Sequence, residues 1–371
     1  MLRFRRIRLL GLSVLLLAAT VGVVVQLRKA APPEAARLLP GADAFFYFNL
    51  QWARRATILT GLPQVQRTPD YERFIQDSGV DFERDLEQAA FAVHYAAGGG
   101  EARYSEVLIG KLDAARLGGY FRRMASSTEM EQGVEIYSIP VEGHVLRAAI
   151  LGPDMVAMSN HEDAGVIRGV VSRSRKQASP FGGPSFLRAY YKRVPFASMA
   201  WVIARVNPVV KDASRINDAS HINKDGVGRN ALTSQLPVDP AMLLEKPAVV
   251  VASARVLRAV HLRAEAITAN DDEARGVAEK AGAMLALFRF SEAETPSGGP
   301  DVDVKEFFKS LQVTQEKEKA VLTATMPLGF LRKVFREPGA ESEILVAPGV
   351  KPEEAKSLPK GSSAQAGAQT R

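Results

Sequence analysis

The chain has 371 residues, 46% of them hydrophobic and 24% charged, a composition typical of a globular protein with a substantial core. Its formal charge of +7 lies mostly at the start, since residues 1–29 carry six basic and no acidic side chains, whereas the remainder carries 42 basic and 41 acidic ones. Overall charge therefore gives no support for nucleic-acid binding. The lack of cysteine excludes disulfides, thiolate metal sites, iron–sulfur clusters and a cysteine nucleophile.

The first predicted element is a transmembrane anchor over residues 9–27. Its core, Leu9–Val25, is a run of 17 uncharged residues, just long enough to cross a bilayer if the next two residues extend the helix. Four arginines precede it, so the positive-inside rule predicts a basic cytoplasmic stub at 1–8 and everything after the helix on the periplasmic or extracellular side. A cleaved signal peptide is the alternative, but its apolar region is normally shorter and ends in small residues. We expect a single-pass protein of the inner (cytoplasmic) membrane.

Residues 37–171 are predicted to form a first α+β half. Ala44–Leu50 is typical of a buried strand, and two apolar runs around the glycines at 98–100 predict a hairpin. Asp113 stands where a helix N-cap is expected, and Asn160 is predicted to cap a closing helix. Between these caps we expect three more strands, at 134–140, 145–151 and 155–159.

The second half, residues 185–337, approximately repeats the first. A shift of 158 residues lays Phe48–Leu50 on Val206–Pro208, the strand Tyr104–Leu112 on Leu262–Asn270, and Asp113 on Asp271. The closing elements correspond in kind but need another offset. The predicted fold class is thus α+β, with two repeated halves, mostly antiparallel sheets and helices on one face. A basic linker is expected at 172–184 and a disordered tail at 338–371.

Several phrases resemble a family of membrane-anchored bacterial cell-envelope proteins classed as a domain of unknown function. They are the opening Leu39–Leu50 with Ala53-Arg54, the strand-to-helix phrase ending in Gly110–Asp113, and Gly133–Tyr137. The resemblance covers about residues 37–337. It implies an exported, anchored, duplicated α+β protein and assigns no catalytic residue.

The usual signatures of catalysis, metal binding and cofactor binding are missing. The five histidines show no metal-ligand spacing, and there is no Gly-x-Ser-x-Gly elbow or Walker loop. The acidic run Asp271–Glu273 fits the first turn of a helix capped by Asn270 better than a cation site. We therefore predict no catalytic, cofactor or metal residue.

One charge pattern suggests a partner. Residues 164–211 contain no acid, and their basic side chains could dock on an anionic lipid, a cell-wall polymer or an envelope protein. A solvated linker between the halves is the alternative interpretation. The candidate anionic-partner surface consists of Arg168, Arg173, Arg175, Lys176, Arg188, Lys192 and Arg193.

The leading hypothesis is a membrane-tethered extracytoplasmic binding or structural protein without enzymatic activity. The first alternative is an envelope hydrolase whose site forms only in the tertiary structure, which predicts histidines and carboxylates converging in one cleft. The second is a carrier of apolar ligands, which predicts a cavity between the sheet and the helices of one half.

Overall fold

The computed structural model describes residues 31–55, 67–95, 101–141, 143–176, 182–207, 243–293 and 302–334. The predicted stub at 1–8, the anchor at 9–27 and the tail at 338–371 lie outside these residues. Within the described ranges, no helix is both long and apolar enough to cross a bilayer.

Ten helices and twelve strands lie in the described part of the chain. The strands are β1 (Ala44–Asn49), β2 (Leu86–His94), β3 (Arg103–Gly110), β4 (Ser127–Glu131), β5 (Val134–Val141), β6 (His144–Ile150), β7 (Met155–Ser159), β8 (Ala200–Val206), β9 (Ala248–Val256), β10 (Val260–Ile267), β11 (Gln312–Glu316) and β12 (Lys319–Met326). The helices are α1 (Glu34–Leu38), α2 (Leu50–Arg55), α3 (Pro69–Ser78), α4 (Phe82–Asp85), α5 (Ala114–Met124), α6 (Gly165–Arg175), α7 (Ser185–Tyr191), α8 (Asp271–Ala293), α9 (Val302–Ser310) and α10 (Leu328–Val334).

All twelve strands belong to one sheet, in the order β11-β12-β10-β9-β8-β1-β2-β3-β7-β6-β5-β4. Every neighbouring pair is antiparallel, including β1 and β8, which join the two halves. The predicted α+β class with an antiparallel sheet is therefore confirmed. Instead of a sheet for each half, the backbone hydrogen bonds continue from one half into the other.

Helices cover both faces of the sheet in the first half, which corrects the expectation of helices on one face. Neighbouring residues of one strand, such as Ala89 and Ala90, belong to different hydrophobic clusters. Since successive strand residues point to opposite faces, the two clusters lie on opposite sides of the sheet. The cluster that includes Ala90 packs against α1, α6 and α7, and the cluster that includes Ala89 packs against α3 and α5.

Two of the three predicted helix caps are confirmed and one is wrong. The Asp113 carboxylate accepts a hydrogen bond from Arg116 N at 3.0 Å, and the Asn270 side chain accepts one from Glu273 N at 2.9 Å. Asn160 does not cap α6, because that helix begins five residues later at Gly165. Its side chain instead accepts a hydrogen bond from Tyr104 N at 2.6 Å and ties the end of β7 to β3.

The predicted basic linker at 172–184 begins inside a helix. Helix α6 continues to Arg175, so the first four residues of that range are helical. Strand β4, which pairs with β5 at the edge of the sheet, has no counterpart among the predicted strands. Its five residues are mostly exposed and carry no apolar run by which a sequence would reveal them.

Candidate functional site

An apolar cavity of about 190 Å³ lies between the sheet and helices α3 and α5. Ile139, Leu146 and Met158 form its floor on strands β5, β6 and β7, and Leu117 and Phe121 of α5 form part of its roof. Almost the whole lining is apolar, so a water molecule inside would lack the polar partners that stabilise buried water. The cavity, defined by these residues, suits an apolar ligand better than a polar one.

Aromatic rings form one wall of the cavity, and its mouth is exposed. Phe74 of α3 stacks on Phe82 with ring centroids 5.3 Å apart and meets Tyr120 edge-on at 5.4 Å. Met124 and Val141 also line the cavity, yet they are 49% and 44% exposed. An apolar group from outside can therefore enter between the end of α5 and the end of β5.

A partly buried carboxyl group, that of Glu106, lies on the same face of the sheet as the cavity. Glu106 pairs across the strands with Phe91 on β2 and with Met158 on β7, and Met158 lines the cavity. Within the described part of the chain, the Glu106 carboxyl has no hydrogen-bond or ion-pair partner. Burial raises the pKa of Glu106 from 4.5 to about 7, so near neutral pH a large fraction of molecules carry it uncharged. Ionisable groups perturbed in this way cluster at functional sites.

Two histidines and two serines meet at one end of the sheet, on the other face. The rings of His94 and His161 lie 5.0 Å apart, and His94 Nε2 is 3.3 Å from Ser105 Oγ. Ser105 Oγ is in turn 2.9 Å from Ser159 Oγ. Burial, and next the neighbouring His161, lower the pKa of His94. A serine hydroxyl beside a histidine nitrogen is the pairing that many hydrolases use as nucleophile and base.

This cluster is nevertheless closed to substrate. Ser105 is 1% exposed and Ser159 is 2% exposed, so a scissile carbonyl has no route to either oxygen in this conformation. Ser159 Oγ accepts a hydrogen bond from His161 N at 3.2 Å and donates to Tyr104 O at 3.2 Å. These bonds fix the loop after β7 against β3, which is a structural role.

A third histidine, His144, belongs to a neighbouring surface network. Its Nε2 lies 2.9 Å from a carboxylate oxygen of Glu101, and Arg103 lies 3.1 Å from its Nδ1 and 2.9 Å from Glu162. Among the described residues, no three or more histidines, aspartates or glutamates are grouped so that they could hold a metal ion. The network consists of polar and charged contacts at the surface, and such contacts contribute little free energy of folding.

Three members of the predicted anionic-partner surface form hydrogen bonds or ion pairs with other residues of the chain. Arg173 Nε donates a hydrogen bond to Leu38 O at 2.8 Å, and burial lowers the pKa of Arg173. Arg168 forms a two-pronged ion pair with Glu129, with contacts of 3.1 and 2.6 Å. Arg193 reaches Glu265 at 3.4 Å. Arg168 and Arg193 remain exposed, as are Arg175, Lys176, Arg188 and Lys192, and the anionic-partner surface stays a prediction.

Comparison with known proteins gives no family for this chain. No family model matches it, and no curated protein matches it, so the envelope-family resemblance stays a prediction. Among solved structures, crystal form I of TP0453 is 11% identical, with a TM-score of 0.41 over 82% of this chain and 96% of that one. Crystal form III of TP0453 is also 11% identical, with a TM-score of 0.37 over 82% and 98%. At these values we draw no functional conclusion from TP0453.

Proposed function

We propose that this chain is a membrane-tethered extracytoplasmic binding protein that takes the apolar part of a ligand into the cavity between α3, α5 and the sheet. The observation that carries the proposal is the 190 Å³ apolar cavity with its exposed mouth at Met124 and Val141. An engineered apolar cavity of about 150 Å³ is large enough to bind benzene. The volume therefore suits one ring or the end of one acyl chain.

The free energy of an empty cavity supports the same proposal. By the scaling measured for core truncations, a closed void of this size costs on the order of 5 kcal/mol in lost contacts. The open mouth reduces that cost, but the side of each lining residue that faces the cavity still lacks a packing partner. A ligand that fills the space restores those contacts, so occupancy should stabilise the folded protein.

The proposed location rests on the sequence. The uncharged run Leu9–Val25 and the arginines before it favour a retained span with its N-terminus in the cytoplasm. A tether of this kind would hold the cavity within reach of the outer surface of the bilayer, where amphiphiles are abundant. The cavity and the anchor thus support one role, the capture or presentation of an amphiphile at the membrane.

We also infer that the two halves arose by duplication. On either side of the β1–β8 pair, two further strands follow in chain order, β2 and β3 on one side and β9 and β10 on the other. In each half a helix follows the third strand, and the last strand of the half, β7 or β12, returns to pair with it. This order supports the repeat, although the described part of the second half has two strands fewer than that of the first.

A fluorescence titration with cis-parinaric acid, a fluorescent fatty acid, tests the proposed function. The full chain in detergent micelles should bind the probe with a dissociation constant of about 1 μM. Leu146→Trp fills the cavity and should weaken binding at least about tenfold. Leu257→Trp, at a 64% exposed position in the β9–β10 turn, is the matched control and should bind as the wild type does.

Two results would count against the proposal. One is an affinity of the wild-type chain no greater than that of empty micelles. The other is an equal affinity of both tryptophan variants, since the probe would then bind elsewhere. Thermal unfolding of each variant, followed in parallel, shows whether Leu146→Trp has kept its fold.

A further inference from the structure

The second half carries a separate concave surface on strands β9, β10, β11 and β12, which we call the polar pocket. Its volume is about 420 Å³, and its lining is rich in hydroxyl, amide and cationic side chains. On adjacent strands, residues directly opposite each other share a face, with Cβ atoms about 5 Å apart. The register therefore places two rows side by side, Arg255–His261–Thr325 and Ser253–Arg263–Thr323–Gln312.

The polar pocket carries an excess of positive charge. Two cationic side chains, Arg255 and Arg263, line it, and no carboxylate of the described residues does. Arg263 is paired outside the lining with Glu265 at 2.8 Å and with Glu316 at 3.8 Å. Arg255 pairs with none of the described carboxylates, so its charge is the one that is available to a ligand.

The sheet face that lines the polar pocket changes from apolar to polar along strand β9. In β9, the face that is apolar at Val251 becomes polar at Ser253 and Arg255, toward the β9–β10 turn. A sheet face that contacts solvent is commonly polar, but it usually carries similar numbers of positive and negative side chains and is flat. Here the surface is concave, positive and lined by hydroxyl groups, a combination suited to one class of ligand.

We propose that the polar pocket binds an anionic, hydroxyl-bearing group of the phosphorylated-sugar class. The Arg255 guanidinium can present two parallel N–H donors to a phosphate, the geometry in which arginine binds this group most strongly. Ser253, Thr323 and Gln312 stand across the pocket as hydrogen-bond partners for the hydroxyl groups of the sugar. This proposal is independent of the apolar cavity, which lies against strands of the first half.

Isothermal titration calorimetry of the full chain in detergent micelles tests the polar pocket, with glucose 6-phosphate as the probe and glucose as its neutral counterpart. We expect the phosphate to bind with a dissociation constant of about 1 mM and glucose to bind at least about tenfold more weakly. Arg255→Gln should weaken phosphate binding by about tenfold, through loss of a charge-assisted pair. Arg258→Gln is the control, because Arg258 is exposed in the neighbouring turn and does not line the pocket.

The outcomes separate a built site from general electrostatic attraction. Equal weakening by Arg255→Gln and Arg258→Gln, or no heat of binding in the wild type, overturns the proposal. Adding phosphatidylglycerol to the micelles distinguishes the source of the phosphate group. If the lipid competes with glucose 6-phosphate, and this competition is lost in Arg255→Gln, the pocket binds a lipid headgroup. If the lipid does not compete, the pocket binds a soluble or polymer-borne phosphate. Cavity-filling Leu146→Trp should leave phosphate binding unchanged, so either proposal can fail alone.

Discussion

Glu106 shows at the scale of one residue what the sequence leaves hidden. In the phrase Tyr104-Ser105-Glu106-Val107 it is typical of the outward-facing polar position of an alternating strand. That interpretation assumes one solvated face, whereas α3 and α5 cover this face in the first half. The carboxyl therefore lies among apolar side chains without a partner in the described part of the chain, and only the tertiary structure reveals it.

Replacing Glu106 by Gln should change how stability depends on pH. The pKa of Glu106 in the folded state, about 7, lies above its unfolded value of 4.5, so the folded state holds its proton more tightly. Stability from this group is complete below about pH 4.5 and is lost as the pH rises through about 7. Glu106→Gln removes that loss, and the variant should be about 3 kcal/mol more stable than the wild type at pH 9, with almost no difference at pH 4.

Urea unfolding, followed by the fluorescence of the buried Trp201, measures this difference. Glu72→Gln is the matched control, because Glu72 is exposed on α3 and should give a pH-independent difference close to zero. A Glu106→Gln variant whose stability parallels that of the wild type from pH 4 to pH 9 would show that the carboxyl is solvated.

Among the helices and strands, the sequence predicted correctly those features that depend on interactions within a few residues. Four predicted features depend on neighbours in sequence, and the structure contains all of them. They are the aromatic strand β1, the hairpin of β2 and β3, and the helix caps Asp113 and Asn270. The predicted cap at Asn160 is wrong because the Asn160 side chain binds Tyr104 N, 56 residues away, instead of the first turn of the next helix. The local sequence pattern around Asn160 contains no information about a hydrogen-bond partner so far away in the chain.

The Asp113 cap also supports the proposed site, because it begins α5, the helix that roofs the cavity. Removing the carboxylate with Asp113→Ala leaves the first turn of α5 without its acceptor and should cost about 1 kcal/mol of unfolding free energy. Urea unfolding measures the cost. Asp77→Ala, at an exposed position near the end of α3, should change stability by less than about 0.5 kcal/mol. Equal effects of the two substitutions would contradict the capping role.

At the scale of the whole molecule, the sheet and the cavity were beyond sequence analysis. The α+β class followed from alternation and turn signals, but the pairing of β1 with β8, which makes one sheet of both halves, joins residues more than 150 positions apart. The cavity likewise needs α3, α5 and three strands to come together. The sequence could suggest a cavity beneath helices of one half, as it did, but not its place or size.

The native lack of cysteine allows a direct test of membrane orientation. Met130→Cys introduces one thiol at a 68% exposed position on β4, and Ala35→Cys introduces one at a fully buried position. If the folded part lies outside the cytoplasm, a membrane-impermeant maleimide should label Cys at 130 in intact spheroplasts. The buried thiol should react only after denaturation. Labelling at 130 that requires lysis would place the folded part in the cytoplasm.

The most direct test of the proposed function is a crystal structure of the full chain grown with a bromine-labelled fatty acid, in which anomalous scattering locates the bromine. We expect a bromine peak inside the cavity, between Phe121 of α5 and Met158 of β7, with the acyl chain leaving past Met124 and Val141. The bromine peak in the cavity should be absent from crystals of Leu146→Trp. A cavity that stays empty at saturating ligand, or bromine bound only outside it, would contradict the proposed function.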